Sequence, residues 1–312
     1  MSGGAGAPST LTDTVRSMSA QKDLTPATST AGRPSEDSVY LAENMDVLPT
    51  LADGSFQLIY IDPPFNTGKS QARRTLQAVP DPDGDRTGFQ GRRYRTRLLD
   101  QSSYRDMFDD YLSFLEPRLR EAHRLLSRSG TLYFHIDYRE AHYCKLLLDE
   151  TFGRDRFLNE IVWAYDYGAR TKRRWPAKHD TILVYVKDQS AYYYDGESVD
   201  REPYMAPGLV TPEKAARGKL PTDVWWHTIV PTNGAEKTGY PTQKPEGVLR
   251  RIVQASTRPG DWCLDFFAGS GTLGAVAAKL GRRYILIDSN PRAAAVMRER
   301  LQAAQKMVLP RV

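Results

Sequence analysis

The sequence predicts an α/β protein: a mostly parallel sheet with helices on both faces. Three observations predict it. Short continuous apolar runs, such as Phe56-Gln57-Leu58-Ile59-Tyr60-Ile61 and Thr131-Leu132-Tyr133-Phe134-His135-Ile136, read as strands buried on both faces. Amphipathic stretches of helical period alternate with them. Near the C-terminus a strand, a Gly-rich turn and a helix follow one another without a gap.

Residues 1–37 are rich in Ser, Thr, Ala, Gly and Pro and are expected to form a disordered arm. Order is expected over 38–312, opening with Ser38-Val39-Tyr40-Leu41. Val47-Leu48-Pro49-Thr50-Leu51 suits a short helix. The strand at 56–61 ends in Asp62-Pro63-Pro64-Phe65. Proline lacks an N–H and restricts the residue before it, so the chain leaves the sheet as a stiff extended tip. That tip carries a carboxylate, two carbonyls free of local turn bonding and an aromatic face. The set suits a planar base held by its amino group; an ordinary strand-to-loop turn is the alternative.

Residues 66–101 read as a long basic loop containing Lys69, Arg73, Arg74, Arg86, Arg92, Arg93, Arg95 and Arg97. Such a loop suits a phosphate backbone, or is a solvated insertion. Ser103-Tyr104-Arg105-Asp106 has a helix-start pattern, and helical spacing continues to about Leu126. The strand at 131–136 is followed by a helix over 137–152, stopped by Gly153. Strands are expected at 160–164 and 181–186. Between them Arg170-Thr171-Lys172-Arg173-Arg174-Trp175 is either a solvated hairpin tip or a loop that contacts a nucleic-acid strand. Residues 187–224 have no clear period and read as an inserted recognition region. A helix over 246–256 buries Val248, Leu249, Ile252 and Val253. The final unit has strands at 262–267 and 284–287, helices at 273–280 and from Pro291 to about Gln305, and Gly281 as a stop.

The 312 residues are 40% hydrophobic and 26% charged, enough for a sizeable core. Lys plus Arg is 43 against 38 Asp plus Glu, a net +5, which points weakly to nucleic acid. Cys144 and Cys263 allow neither a disulfide framework nor a zinc set, and fit a reducing cytoplasm. The five His residues show no metal spacing, so no metal is expected. No apolar run reaches membrane-spanning length, and no signal-type region opens the chain; a soluble cytoplasmic protein is expected.

Gly269-Ser270-Gly271-Thr272-Leu273-Gly274 matches G-x-G-x-x-G between a strand and a helix, and Asp288 ends the next strand. This is the context of a nucleotide whose ribose is gripped by an acid. No Lys follows the glycines, so it is not a P-loop. NAD and S-adenosylmethionine both suit it. Position argues against NAD, because a dinucleotide fold opens with this unit and only about 40 residues follow it here. Asp265 could hold a positive amine. Ligands of such sheets sit beyond the carboxyl ends of the strands, so the Asp62 tip and the Asp265-to-Gly271 turn should share one edge.

Asp62-Pro63-Pro64-Phe65, then Thr242-Gln243-Lys244-Pro245, then Asp265-Phe266-Phe267-Ala268-Gly269-Ser270-Gly271-Thr272 occur in this order. The chain resembles the beta-class amino DNA methyltransferases, in which the catalytic motif precedes the cofactor motif. The resemblance runs from about Val39 to Leu301 and implies a Rossmann-like domain of permuted motif order, with S-adenosyl-L-methionine as cofactor. It places Asp62, Pro63, Pro64 and Phe65 at catalysis. Asp265, Phe266, Phe267, Gly269, Ser270, Gly271 and Thr272 would line the cofactor, with Asp288 on its ribose and Asp46 near its adenine. Thr242 and Lys244 would close over its methionine end. Lys69, Arg92, Arg93, Arg95, Arg170, Lys172, Arg173 and Arg174 are the candidate DNA contacts.

Double-stranded DNA is the expected partner; a homodimer and a cognate restriction endonuclease remain open. The resemblance implies adenine N6 over cytosine N4, since acidic tips occur mainly in the adenine enzymes of that class, and neither cysteine suits cytosine-C5 chemistry. An NAD-dependent oxidoreductase and a catalytically dead nucleic-acid-binding module are the rival classes. His135, mid-strand, reads as a packed core residue before a catalyst.

Overall fold

A computed structural model describes residues 32–66, 71–80, 83, 86–87, 93–104, 110–166, 171–231 and 233–308. In chain order the elements are β1 (Ser38–Leu41), α1 (Asn44–Val47), β2 (Phe56–Ile61), β3 (Gln71–Pro80), β4 (Arg86–Thr87), β5 (Arg93–Tyr104) and α2 (Tyr111–Leu125). Then come β6 (Leu126–Ile136), α3 (Ala141–Phe152), β7 (Phe157–Ala164), β8 (His179–Val186), α4 (Pro212–Arg217) and β9 (Val224–Trp226). The last five are α5 (Glu246–Ser256), β10 (Trp262–Asp265), α6 (Thr272–Lys279), β11 (Arg283–Asp288) and α7 (Pro291–Val308).

Eight strands form one sheet in the order β1-β11-β10-β2-β6-β8-β7-β9. Only β8 runs against the rest, pairing antiparallel with β6 and β7. β2 explains the architecture by its alternation. Ile59 and Ile61 pack into a core with Leu115 and Leu119 of α2 and Leu148 of α3. Leu58 and Tyr60 pack into the opposite core with Ile252 of α5, Val276 of α6 and Met297 of α7. All six residues of β2 are buried, as a central strand covered on both faces requires. β2 and β10 are parallel neighbours, so their carboxyl ends open side by side. No helix among the described residues is long and apolar enough to cross a membrane.

Several boundaries differ from the sequence reading. The described part of 66–101 is not a loop: β3 and β5 pair antiparallel from Gln71↔Tyr104 to Pro80↔Tyr94, with β4 on the other side of β5. The overlooked signal is the strict alternation Arg93-Tyr94-Arg95-Thr96-Arg97-Leu98, which is the period of a strand. Ser103 therefore lies within β5, paired with Ala72, and does not start a helix. α2 begins at Tyr111, capped by Asp110, whose carboxylate accepts from the Ser113 N–H at 3.0 Å. Of the arm expected over 1–37, residues 1–31 lie outside the described ones, but 32–37 are docked. Asp37 accepts from Arg283 at 2.8 Å and from the Tyr284 N–H at 3.0 Å. The region 187–224 contains α4, and its last residue, Val224, opens β9, which joins the main sheet beside β7.

Candidate functional site

The carboxyl ends of β2 and β10 open on a cleft of about 400 Å³. Its walls bring together Asp62, Pro63, Pro64 and Phe65 from one motif, Thr242 and Lys244 from the second, and Asp265, Phe266, Phe267, Gly269, Ser270, Thr272 and Asp288 from the last unit. These segments are far apart in sequence and meet because parallel neighbours discharge at the same edge.

The tip after β2 is held from several sides. The Tyr111 hydroxyl donates to the Pro64 carbonyl at 2.6 Å, so that carbonyl is engaged by tertiary structure although free of turn bonding. Asn66 takes a left-handed φ of 51°, and its side chain donates to Glu140 at 3.0 Å. Asp62 Oδ2 forms an ion pair with Lys244 Nζ, while Oδ1 is buried without a hydrogen-bond partner. The same ammonium lies 5.0 Å from the centre of the Phe65 ring.

Beneath the tip lies His135, with no exposed surface. Its Nδ1 is 2.8 Å from the Tyr60 hydroxyl and 3.9 Å from Asp62 Oδ1, and its Nε2 is 3.1 Å from Asp180 Oδ2. Tyr165 donates to the other Asp180 oxygen at 3.0 Å. Burial raises the charging cost of Asp180, but the hydrogen bond with His135 and the nearby Lys244 ammonium hold its carboxyl below the usual range. Burial, and then the charges of Asp62, Asp265 and Asp180, push the Tyr60 phenol well up. His135 is thus packed and hydrogen-bonded as a core residue, and it also forms the floor of the tip.

The Gly-rich turn makes the other wall. Gly269 has φ of +49°, and a Cβ there would lie 3.3 Å from the Tyr240 ring. Its N–H donates to Asp288 Oδ2 at 2.8 Å, and the Asn290 N–H donates to Oδ1 at the same distance. Asp265 accepts from the Phe267 N–H at 3.0 Å. Burial, reinforced by Asp62 and Asp288, raises the Asp265 carboxyl well above the ordinary range, and burial also raises Asp288. Asp62, Asp265 and Asp288 thus converge on one cleft whose rim also carries Glu43, an arrangement that favours a cationic ligand. Thr272 Oγ1 donates to the Lys244 carbonyl at 3.1 Å and accepts from Arg300 at 2.9 Å, tying the second motif to the Gly-rich turn.

Some predicted residues fall elsewhere. Asp46 is exposed and is not among the lining residues; Glu43 and Asn44, at the start of the same short helix, line the cleft instead. Asn44, the first residue of α1, is buried and donates to the Phe266 carbonyl at 3.1 Å. Gly271 does not line the cleft either; it precedes α6 as its N-cap at φ of +70°, where a Cβ would lie 2.7 Å from Met297 Cγ. Arg93, Arg95, Lys172, Arg173 and Arg174 are exposed. Lys69, Arg92 and Arg170 lie outside the described residues. Sequence reasoning missed Tyr60, Phe114, Tyr240 and Asp180, each part of an otherwise ordinary strand, helix or loop.

A family model described as DNA methylase, of the N6/N4 methyltransferase type, matches residues 56–299. DNA adenine methyltransferase YhdJ of Escherichia coli K12 is 32% identical over 244 residues, covering 76% of this chain and 72% of that protein. Type II methyltransferase M.HpaI of Haemophilus parainfluenzae is 30% identical over 258 residues, covering 82% and 71%. Among solved structures, the cytosine-N4-specific PvuII DNA methyltransferase superposes with a TM-score of 0.58 at 14% identity, over 86% of this chain and 87% of that one. The M1.HpyAVI–SAM complex superposes with a TM-score of 0.53 at 20% identity, over 84% and 98%. These two likenesses show the fold. Given the family match and the extent of the YhdJ and M.HpaI alignments, the chain belongs to the N6/N4 methyltransferase family of DNA methylases.

Proposed function

We propose that the protein transfers a methyl group from S-adenosyl-L-methionine to the exocyclic amine of a flipped base in double-stranded DNA, adenine N6 first. One observation carries this reading: the Asp62 tip and the carboxylate-lined Gly-rich turn are walls of the same cleft. The residues present fit the cofactor. Asp62, Asp265 and Asp288 suit a molecule bearing a sulfonium and an ammonium, and the left-handed Gly269 lets a ligand approach backbone. Asp265 would hold the ammonium, Asp288 the ribose hydroxyls, and Asn44 with Glu43 the adenine side. When bound, the cofactor supplies a methyl activated by its sulfonium.

The chain's own residues do the rest by orientation and electrostatics. A base amine is a poor nucleophile because its lone pair is delocalised into the ring. Asp62 Oδ1, buried without a hydrogen-bond partner, would accept one amine hydrogen and the Pro63 carbonyl the other, which would localise that lone pair. Phe65 offers the face on which the base stacks once Lys244 moves aside. The target must leave the duplex stack to reach this cleft.

The YhdJ name favours adenine, and Asp at the tip agrees with it; the PvuII fold neighbour keeps cytosine N4 as the second reading. The type II names among the relatives support site-specific modification. A homodimer and a paired restriction endonuclease are the finer partners of this reading. The test is incubation with radiolabelled cofactor and unmethylated genomic DNA, followed by identification of the labelled nucleoside. N6-methyladenine is expected; N4-methylcytosine would overturn the base assignment, and no label would overturn the activity.

A further inference from the structure

Trp175 is 94% exposed, in a loop whose neighbours Lys172, Arg173 and Arg174 are also exposed. A large aromatic surface open to water among cations calls for an anionic partner with flat apolar faces, which describes nucleic acid.

The topology puts this loop where such a partner must lie. It joins the carboxyl end of β7 to the start of the antiparallel β8, so it rises from the same sheet edge as Asp62. β8 stands two strands from β2, about 10 Å away at the ordinary strand spacing. Asp180, where the loop re-enters the sheet, is 3.1 Å from His135, whose other nitrogen is 3.9 Å from Asp62. The root of the loop is therefore one imidazole away from the tip. Trp226, 68% exposed, ends β9 level with Ala164 at the same edge.

Extruding a base leaves its neighbours without a stacking partner, and proteins that deform duplexes commonly insert an apolar wedge. We propose that Trp175 enters the stack vacated by the flipped base, while Lys172, Arg173 and Arg174 hold the flanking phosphates. The proposal rests on the DNA methyltransferase reading above. It makes Trp175 a positioning residue that stabilises the flipped complex and leaves the cleft untouched.

The test compares the full-length wild type with Trp175→Ala and Trp175→Phe, using radiolabelled S-adenosyl-L-methionine and native or heat-denatured genomic DNA. A single strand has no closed stack to replace. On native DNA, Trp175→Ala should lose kcat by roughly ten- to a hundredfold, the range expected for one lost base–aromatic stack, with little change in the KM for DNA. Its activity on denatured DNA should match the wild type, and Trp175→Phe should recover most of the native-DNA rate. Wild-type kcat for Trp175→Ala on native DNA, or a loss that falls on KM alone, would overturn the wedge and leave methylation standing. No label from the wild type on either DNA would overturn the methyltransferase reading and the wedge together.

Discussion

Replacing Asp62 by Asn tests whether the tip works by charge. The substitution keeps the shape and one acceptor oxygen but removes the negative charge. In the proposed transfer the attacking nitrogen gains positive charge at hydrogen-bond distance from the carboxylate. A full unit charge at ~3 Å interacts by about 5.5 kcal/mol at an effective dielectric of about 20. With roughly half a charge developed, the loss is about 2.8 kcal/mol, or about a hundredfold in the rate of methyl transfer. The substitution also leaves Lys244 without its anionic partner; the two side chains are 11% and 16% exposed. Breaking a fully buried pair costs about 3–5 kcal/mol, and because both ends reach the cleft we expect about 1–2 kcal/mol of lost stability. The assay is single-turnover transfer of labelled methyl to genomic DNA, beside calorimetric cofactor affinity and a denaturation midpoint. A folded Asp62→Asn protein with wild-type cofactor affinity and a wild-type rate would refute the electrostatic account.

Three further outcomes follow from the same geometry. Cofactor affinity should rise with pH through the range above the usual carboxylate pKa: burial, then Asp62 and Asp288, raise the free Asp265 carboxyl, and a bound ammonium favours its ionised form. Calorimetry in buffers of different ionisation enthalpy should therefore detect proton release on binding at the acid end, and a flat profile would count against Asp265 as the amine's partner. Gly271→Ala should lower stability by about 2–4 kcal/mol, combining left-handed backbone strain with the displacement of Met297, and an unchanged urea midpoint would contradict this. His135→Phe leaves the Tyr60 hydroxyl and one Asp180 oxygen without their partner in a buried site, so a loss of about 2–5 kcal/mol is expected by chemical denaturation; wild-type stability would show that the network is dispensable.

Local composition and period were enough to reveal the parallel sheet, the Gly-rich turn and the stiff proline tip. A run such as 56–61 has few alternatives once both of its faces must be apolar, and helix α5 spans the residues its apolar spacing predicts. Even the shared edge was legible, because the carboxyl ends of neighbouring parallel strands must open together. The misread segments had local signals that competed. Ser103 carries a helix-start pattern yet sits in β5, where pairing with β3 outweighs a single capping option.

What the chain by itself determined is which chemical groups the protein brings to its cleft: an acid on a rigid tip, acids around a glycine turn, and a lysine between two prolines and a helix. What only tertiary structure decided is how those groups meet. Asp180 reaches the tip through His135 because β8 lies antiparallel beside β6, a pairing that leaves no local mark in the sequence. Asp46 faces outward and Asn44 inward because one short helical turn fixes which side chains point at β10 and its following turn. Motifs are local, so period and composition expose them; a partner brought from another strand depends on sheet order and side-chain direction, which are properties of the packed whole.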